Sequence, residues 1–145
     1  MLTVKNLIKH FDISGGLLDQ LKVEKGRIVR RRTTVKALNG VSLTILPRET
    51  LGVVGESGCG KSTLARVLVR LHDPTAGRVL FEGRDISSLE GDPLKQLRSQ
   101  MQFIFQDPYS SLDPRAPVGN SIAEGLVVHG VTDADERHER VSEML

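Results

Sequence analysis

Residues 55–62 read Gly55-Glu56-Ser57-Gly58-Cys59-Gly60-Lys61-Ser62, with Thr63 next. The spacing is G-x-x-x-x-G-K-S, the pattern of a loop that wraps phosphate groups. The residue types follow from the task. Glycine accepts φ > 0 at little cost, so the backbone can curl with its N–H groups turned inward. Those N–H groups and the positive end of a following helix attract phosphate oxygens. Lys61 adds a point charge for the outer phosphates, and Ser62 offers a hydroxyl to Mg²⁺. A chance match in a chain of this length has a probability of roughly half a percent. The alternative is a glycine-rich turn that happens to carry a lysine.

The flanks support the first reading. Leu51-Gly52-Val53-Val54 is a short apolar run without polar alternation, which predicts a strand covered on both faces. After residue 60 the period changes. Leu64, Val67, Leu68 and Leu71 fall at i, i+3, i+4 and i+7, one face of a helix that the turn His72–Gly77 ends. Strand, glycine loop and helix in that order belong to an α/β nucleotide-binding fold.

Outside this unit, residues 1–13 alternate weakly and read as an edge strand. Val41, Leu43 and Ile45 predict a half-buried strand. Val79–Phe81 and the segment around Ile86 predict short strands about Gly83. Helices are expected around Leu94–Met101, over 118–128, and after Thr132-Asp133-Ala134-Asp135-Glu136, where acids occupy the first turn.

Phe103-Ile104-Phe105 predicts a second buried strand, ending at Gln106 before two Asp-Pro steps. If it pairs in parallel beside 51–54, both strand ends meet where ligands bind in such sheets. Gln106 then reaches a metal or attacking water; the alternative is a polar residue that caps a strand end.

Composition bounds the rest. The chain has 145 residues, 39% apolar, 26% charged and 3% aromatic, with no Trp, so aliphatic side chains must fill its core. A net charge of +2 argues against a nucleic-acid partner. The single cysteine, Cys59, excludes an intrachain disulfide and fits a reducing compartment. Within a crowded turn it reads as a small residue that fits; near a helix N-terminus its thiolate is also favoured. No apolar run reaches membrane-spanning length. The segment 14–36 carries Lys22, Lys25, Arg27, Arg30, Arg31, Arg32 and Lys36 against Asp19 and Glu24. It reads as a solvated loop or as a contact surface for an acidic partner or lipid headgroups.

The combination of GESGCGKST (55–63), FIFQDP (103–108) and VKALNGVSLTI (35–45) resembles the ATP-binding subunits of ABC transporters. QDPYSSLDPR and the loop after the first strand are most similar to subunits of dipeptide and oligopeptide importers. The resemblance implies a phosphate-loop NTPase with a mostly parallel core sheet, an antiparallel β subdomain and the start of a helical subdomain. Residues 1–106 would form the core and β subdomain, and 107–145 the helical start. ATP and Mg²⁺ are the implied cofactors. Gly55, Glu56, Ser57, Gly58, Cys59, Gly60, Lys61, Ser62, Thr63 and Gln106 would bind ATP. Phe11, the positional match for an adenine-stacking aromatic, would join them or else be a core side chain. Lys61 and Gln106 would serve catalysis, and Ser62 and Gln106 would bind the metal.

Implied partners are membrane-spanning permease subunits, a second nucleotide-binding subunit, identical or related, and indirectly an extracytoplasmic solute-binding protein. The implied location is peripheral, on the cytoplasmic face of the inner membrane. The Leu-Ser-Gly-Gly-Gln signature, the strand ending in Asp-Glu and the switch histidine do not occur in these residues. The expectation is a truncated domain in which Val53, Val54 and Ile104 lose cover, and which lacks the catalytic glutamate. Three alternatives stay open: a nucleotide-binding module without hydrolysis, a soluble phosphate-loop NTPase such as a kinase, and a nucleic-acid-binding ATPase. The last lacks interleaved aromatics.

Overall fold

The computed structural model describes residues 1–14, 21–24, 27–30, 33–107 and 112–145, with backbone alone for 21–24 and 27–30. Lys25, Arg31 and Arg32 of the basic segment, and Pro108 of the first Asp-Pro step, lie outside the described residues. The chain forms two compact units, residues 1–103 and 104–145.

In the first unit, β1 (Leu2–Asp12), β4 (Thr34–Ile45), β5 (Ala76–Phe81) and β6 (Arg84–Asp85) form one sheet in the order β4-β1-β5-β6. All its pairings are antiparallel. β1 is therefore an interior strand and not the expected edge. Its weak alternation has a local cause. Leu2, Val4 and Leu7 are all buried, and the phase change between Val4 and Leu7 coincides with a break in register against both neighbours. Asn6 sits there with φ 48°, so one extra residue is absorbed as a bulge. Its N–H is taken by Ser42 Oγ at 2.9 Å. Within the segment expected as a loop, β2 (Leu21–Glu24) and β3 (Arg27–Arg30) pair as a hairpin.

The turn between β5 and β6 is Glu82-Gly83, with φ 49° and 82°. Two successive positive φ values suit the right-handed twist of a two-residue hairpin. Asp85, at its far side, accepts from Ser87 N at 2.9 Å. Ser87 Oγ in turn accepts from Val79 N at 2.7 Å, which fixes the chain leaving the hairpin.

Two helices complete this unit: α1 (Lys61–Leu68) and α2 (Gly91–Gln100). Leu64 and Val67 of α1 and Leu97 of α2 join Leu2, Val4, Leu7, Leu38, Val79 and Ile86 in one aliphatic core. The expected helix face held for Leu64, Val67 and Leu68, but α1 stops before Leu71. Arg70 adopts φ 57°, with its N–H on Val67 O at 3.1 Å and the N–H of Leu71 on Arg66 O at 2.8 Å. This is the paired reverse bonding that usually ends a helix on glycine. An arginine tolerates it here because its side chain is committed. Arg70 is 5% exposed. Its guanidinium donates to Ile86 O, to Leu89 O at 3.2 Å and to Asp73 Oδ1 at 2.9 Å. Arg98 of α2 donates to Arg70 O at 2.9 Å.

The α/β class and the antiparallel β part stand, and the sheet among the described residues is antiparallel. Residues 51–54 and 103–105 adopt no strand, and the described residues include no parallel ladder. A strand exists only by hydrogen bonding to a neighbour, however apolar it is. Val54 is 95% exposed and Ile104 92%.

In the second unit, α3 (Val118–Val128) and α4 (Ala134–Met144) pack together, with Val141 buried. Asp133 caps α4 by accepting from Glu136 N at 2.9 Å. Gly130, with φ 91°, ends α3. Before α3, Asp113 accepts from Arg115 N and Ala116 N, with Pro114 inside the turn.

Replacing Arg70 with Met should strand the carbonyls of Ile86 and Leu89 and cost at least about 2 kcal/mol, read from the urea midpoint; an unchanged midpoint would count against this role. A second outcome concerns acid. The Asp85 carboxyl lies below its ordinary 3.8, first because Ser87 N–H donates to it, then because of the Ser87 hydroxyl and Arg78. A depressed folded value means stability that is present above 3.8 and lost as pH falls through the folded value. The Asp85→Asn variant should lack that part of the acid-induced loss in Tm.

Candidate functional site

The glycine loop follows the exposed run 51–54 and turns into α1. Gly58 has φ 81° and Gly60 φ 103°. Only glycine adopts these values cheaply. At Gly60 space is also limiting, since a Cβ would lie 2.5 Å from Ala37 O on β4. That close approach seats the helix start against the sheet. Cys59 N donates to Glu56 O at 3.3 Å and closes the turn over Ser57 and Gly58.

Gly60 caps α1 without any side-chain bond. The first intrahelical bond runs from Leu64 N to Gly60 O at 2.8 Å. By helix geometry the N–H groups of Lys61, Ser62 and Thr63 therefore have no intrahelical partner. They carry the positive end of the helix dipole. Lys61 folds back across the loop, with Nζ 2.6 Å from Gly55 O, 2.7 Å from Glu56 O and 3.6 Å from Cys59 Sγ. Its ammonium thus sits beside the loop's own backbone, at the mouth of the curl. Glu56, Ser57, Gly58, Cys59 and Ser62 are exposed, and Thr63 is half-buried. One small region therefore gathers free N–H groups, a cation and three hydroxyls. That set fits a multiply charged oxyanion, with Ser62 Oγ available to a cation held by it. Among the described residues, no three His, Cys, Asp or Glu side chains cluster to hold a metal by themselves.

Phe11 lies at the end of β1, paired in register with Val35. Val35 is two residues from Ala37, the neighbour of Gly60, or about 7 Å along the strand. The ring is half-buried and outside the aliphatic core. It meets His72 edge-on, with centroids 5.5 Å apart and planes at 83°. Lys9 Nζ lies over it, 4.8 Å from its centroid. The sequence reading missed Lys9 and His72. Their only signal was position, one beside Phe11 and the other in the turn that closes α1. Gln106 belongs to the second unit, where it is exposed at a bend.

A family model described as "ABC transporter" matches residues 38–145. The whole chain is 41% identical to the Di/tripeptide transport ATP-binding protein DppF of Pseudomonas aeruginosa (strain UCBPP-PA14), of which it covers 42%. It is 46% identical over its length to the Glutathione import ATP-binding protein GsiA of Pectobacterium atrosepticum, covering 22% of that protein. The chain thus spans well under half the length of these curated relatives. Among solved structures, the dimeric post-hydrolysis state of the ATP-binding cassette MJ0796, bound to ADP and Pi, is similar with a TM-score of 0.71. The identity is 26%, over 99% of this chain and 55% of that one.

Cys59 gives the site a direct probe. Cys59 is exposed, and its Sγ lies against Gly55, where an added Cβ would be 2.8 Å away. Alkylation should abolish triphosphate binding, and prior ATP should protect the thiol. Retained binding by fully alkylated protein would remove the loop from the site.

Proposed function

The chain belongs to the ABC transporter family, and from that premise we propose that it is the ATP-binding, energy-coupling part of an importer for peptides or related small solutes such as glutathione. The observation that carries this is the seating of Gly60 and Lys61: a left-handed glycine pressed on Ala37, opening a helix whose free N–H groups and ammonium face one place. Residues 55–63 hold the phosphates, Lys61 neutralises their outer charge, and the Ser62 hydroxyl would hold Mg²⁺. When bound, Mg²⁺ offsets charge on the phosphate oxygens. Phe11 stacks on the adenine. Residues 1–106 form the nucleotide-binding core and β subdomain, and 107–145 begin the helical subdomain.

Gln106 couples the nucleotide to membrane-spanning permease subunits. A second nucleotide-binding subunit pairs with this one, and a solute-binding protein delivers cargo to the permease. Among the described residues no helix is long and apolar enough to cross a membrane. Attachment to the cytoplasmic face runs through the permease. None of these 145 residues is assigned as the water-activating carboxylate, so the chain by itself binds ATP without turning it over.

The test is calorimetric titration with ATP and Mg²⁺, alongside a phosphate-release assay. Lys61→Ala should weaken binding by roughly tenfold or more, the loss of one charge-assisted contact. Equal affinity in the variant would overturn the site. Phosphate release by the isolated chain would overturn the non-turnover claim and leave the binding claim intact.

A further inference from the structure

The end of β1 that carries Phe11 is bound along its length to the turn that follows α1. Thr75 N donates to Ile8 O at 2.8 Å, and Thr75 Oγ1 accepts from His10 N at 2.9 Å. Lys9 Nζ donates to Asp73 O at 2.8 Å. Asp73 Oδ1 in turn takes Arg70, which is buried. His72 stands in the same turn, edge-on to the Phe11 ring.

This arrangement differs from ordinary packing in two ways. A lysine at a strand end usually extends into water, where its ammonium is best hydrated. Lys9 instead has its ammonium tied to a backbone carbonyl and placed over an aromatic ring. The ring is also not part of the core: it is half-buried, so part of its surface faces solvent. A phenylalanine ring turns easily about its terminal torsion. A half-exposed ring gripped by a cation and by a second ring is restricted in that torsion yet still reachable. Such a ring is a platform whose ordering cost is met before anything stacks on it.

We propose that Lys9 and His72 are positioning residues for the base of the nucleotide, acting by fixing the plane of the Phe11 ring. This rests on the reading of Phe11 as the residue that stacks on the base. The ligand class is a nucleoside triphosphate, and the effect is confined to its base. The turn carrying His72 closes the helix whose first residue is Lys61, so the base platform and the phosphate cradle are attached to opposite ends of one short rod.

The experiment compares affinities for ATP and for inorganic tripolyphosphate, which has no base, in one protein. His72→Ala and Lys9→Met should each weaken ATP by about three- to tenfold, the range for one aromatic or cation–π contact, and leave tripolyphosphate unchanged. His72→Phe should restore ATP affinity, because it keeps an edge for the ring, and Lys9→Arg should do the same by keeping a cation. Melting curves report folding of every variant.

Phe11→Ala separates the two ideas. If it lowers the ratio of ATP to tripolyphosphate affinity while His72→Ala and Lys9→Met do not, the positioning role is wrong and the stacking role stands. If Phe11→Ala leaves that ratio unchanged, the stacking role fails and the inference with it. Equal weakening of both ligands in His72→Ala and Lys9→Met, without rescue, would reduce the two residues to scaffolding and overturn the proposal.

Discussion

The buried guanidinium of Arg70 is the constraint on which the first unit depends. A guanidinium cannot shed its charge and offers five N–H donors, so the surrounding chain must bring acceptors to it. Ile86 O, Leu89 O and the Asp73 carboxylate do so. Each acceptor belongs to a segment that would otherwise be an unconstrained connection. The segment at 86–89 thereby lies against the end of α1, and the turn at 70–75 is held in one shape. The left-handed backbone of Arg70 costs of order 1–2 kcal/mol, and this network offsets it.

The other end of α1 is held by a different physical device. There the contact is steric: Gly60 has no Cβ, and so the helix start can reach Ala37 on β4. One end of an eight-residue helix is set by the absence of a side chain, and the other by a buried charge. The helix between them is too short to be stable alone. Its persistence comes from Leu64 and Val67, buried in the aliphatic core, and from these two anchors. The loop residues 55–63 sit at one end, and the turn that grips Phe11 through His72 and Lys9 sits at the other.

The run Leu51–Val54 has no such anchor among the described residues. Val54 is 95% exposed whereas Val67, chemically identical, is fully buried. Burying a valine side chain is worth about 1.5–3 kcal/mol, so Val54 forgoes what Val67 gains. Apolar composition is a demand for cover. It does not supply the neighbour that provides it.

Much of the local structure was legible because it follows from rules that act within a few residues. The glycine turn at Gly58 and Gly60, the α1 face at Leu64 and Val67, the helix start at 132–136 and the turn at Gly83 are of this kind. Glycine conformations, helix periodicity and capping geometry need no distant partner. The rest depended on distant partners. The bulge at Asn6 blurred the alternation of β1 and concealed an interior strand flanked by β4 and β5. Residues 51–54 and 103–105 read as strands by composition but adopt none among the described residues. The αL end of α1 at Arg70 follows from carbonyls sixteen and nineteen residues away. The contact of His72 with Phe11 and the bond from Lys9 to Asp73 O join segments more than sixty residues apart. The sequence by itself determined the chemistry available at the site, because residue type sets charge, hydroxyls and backbone freedom. The tertiary structure decided which of those groups meet, because contacts between distant segments form only when the intervening chain has folded.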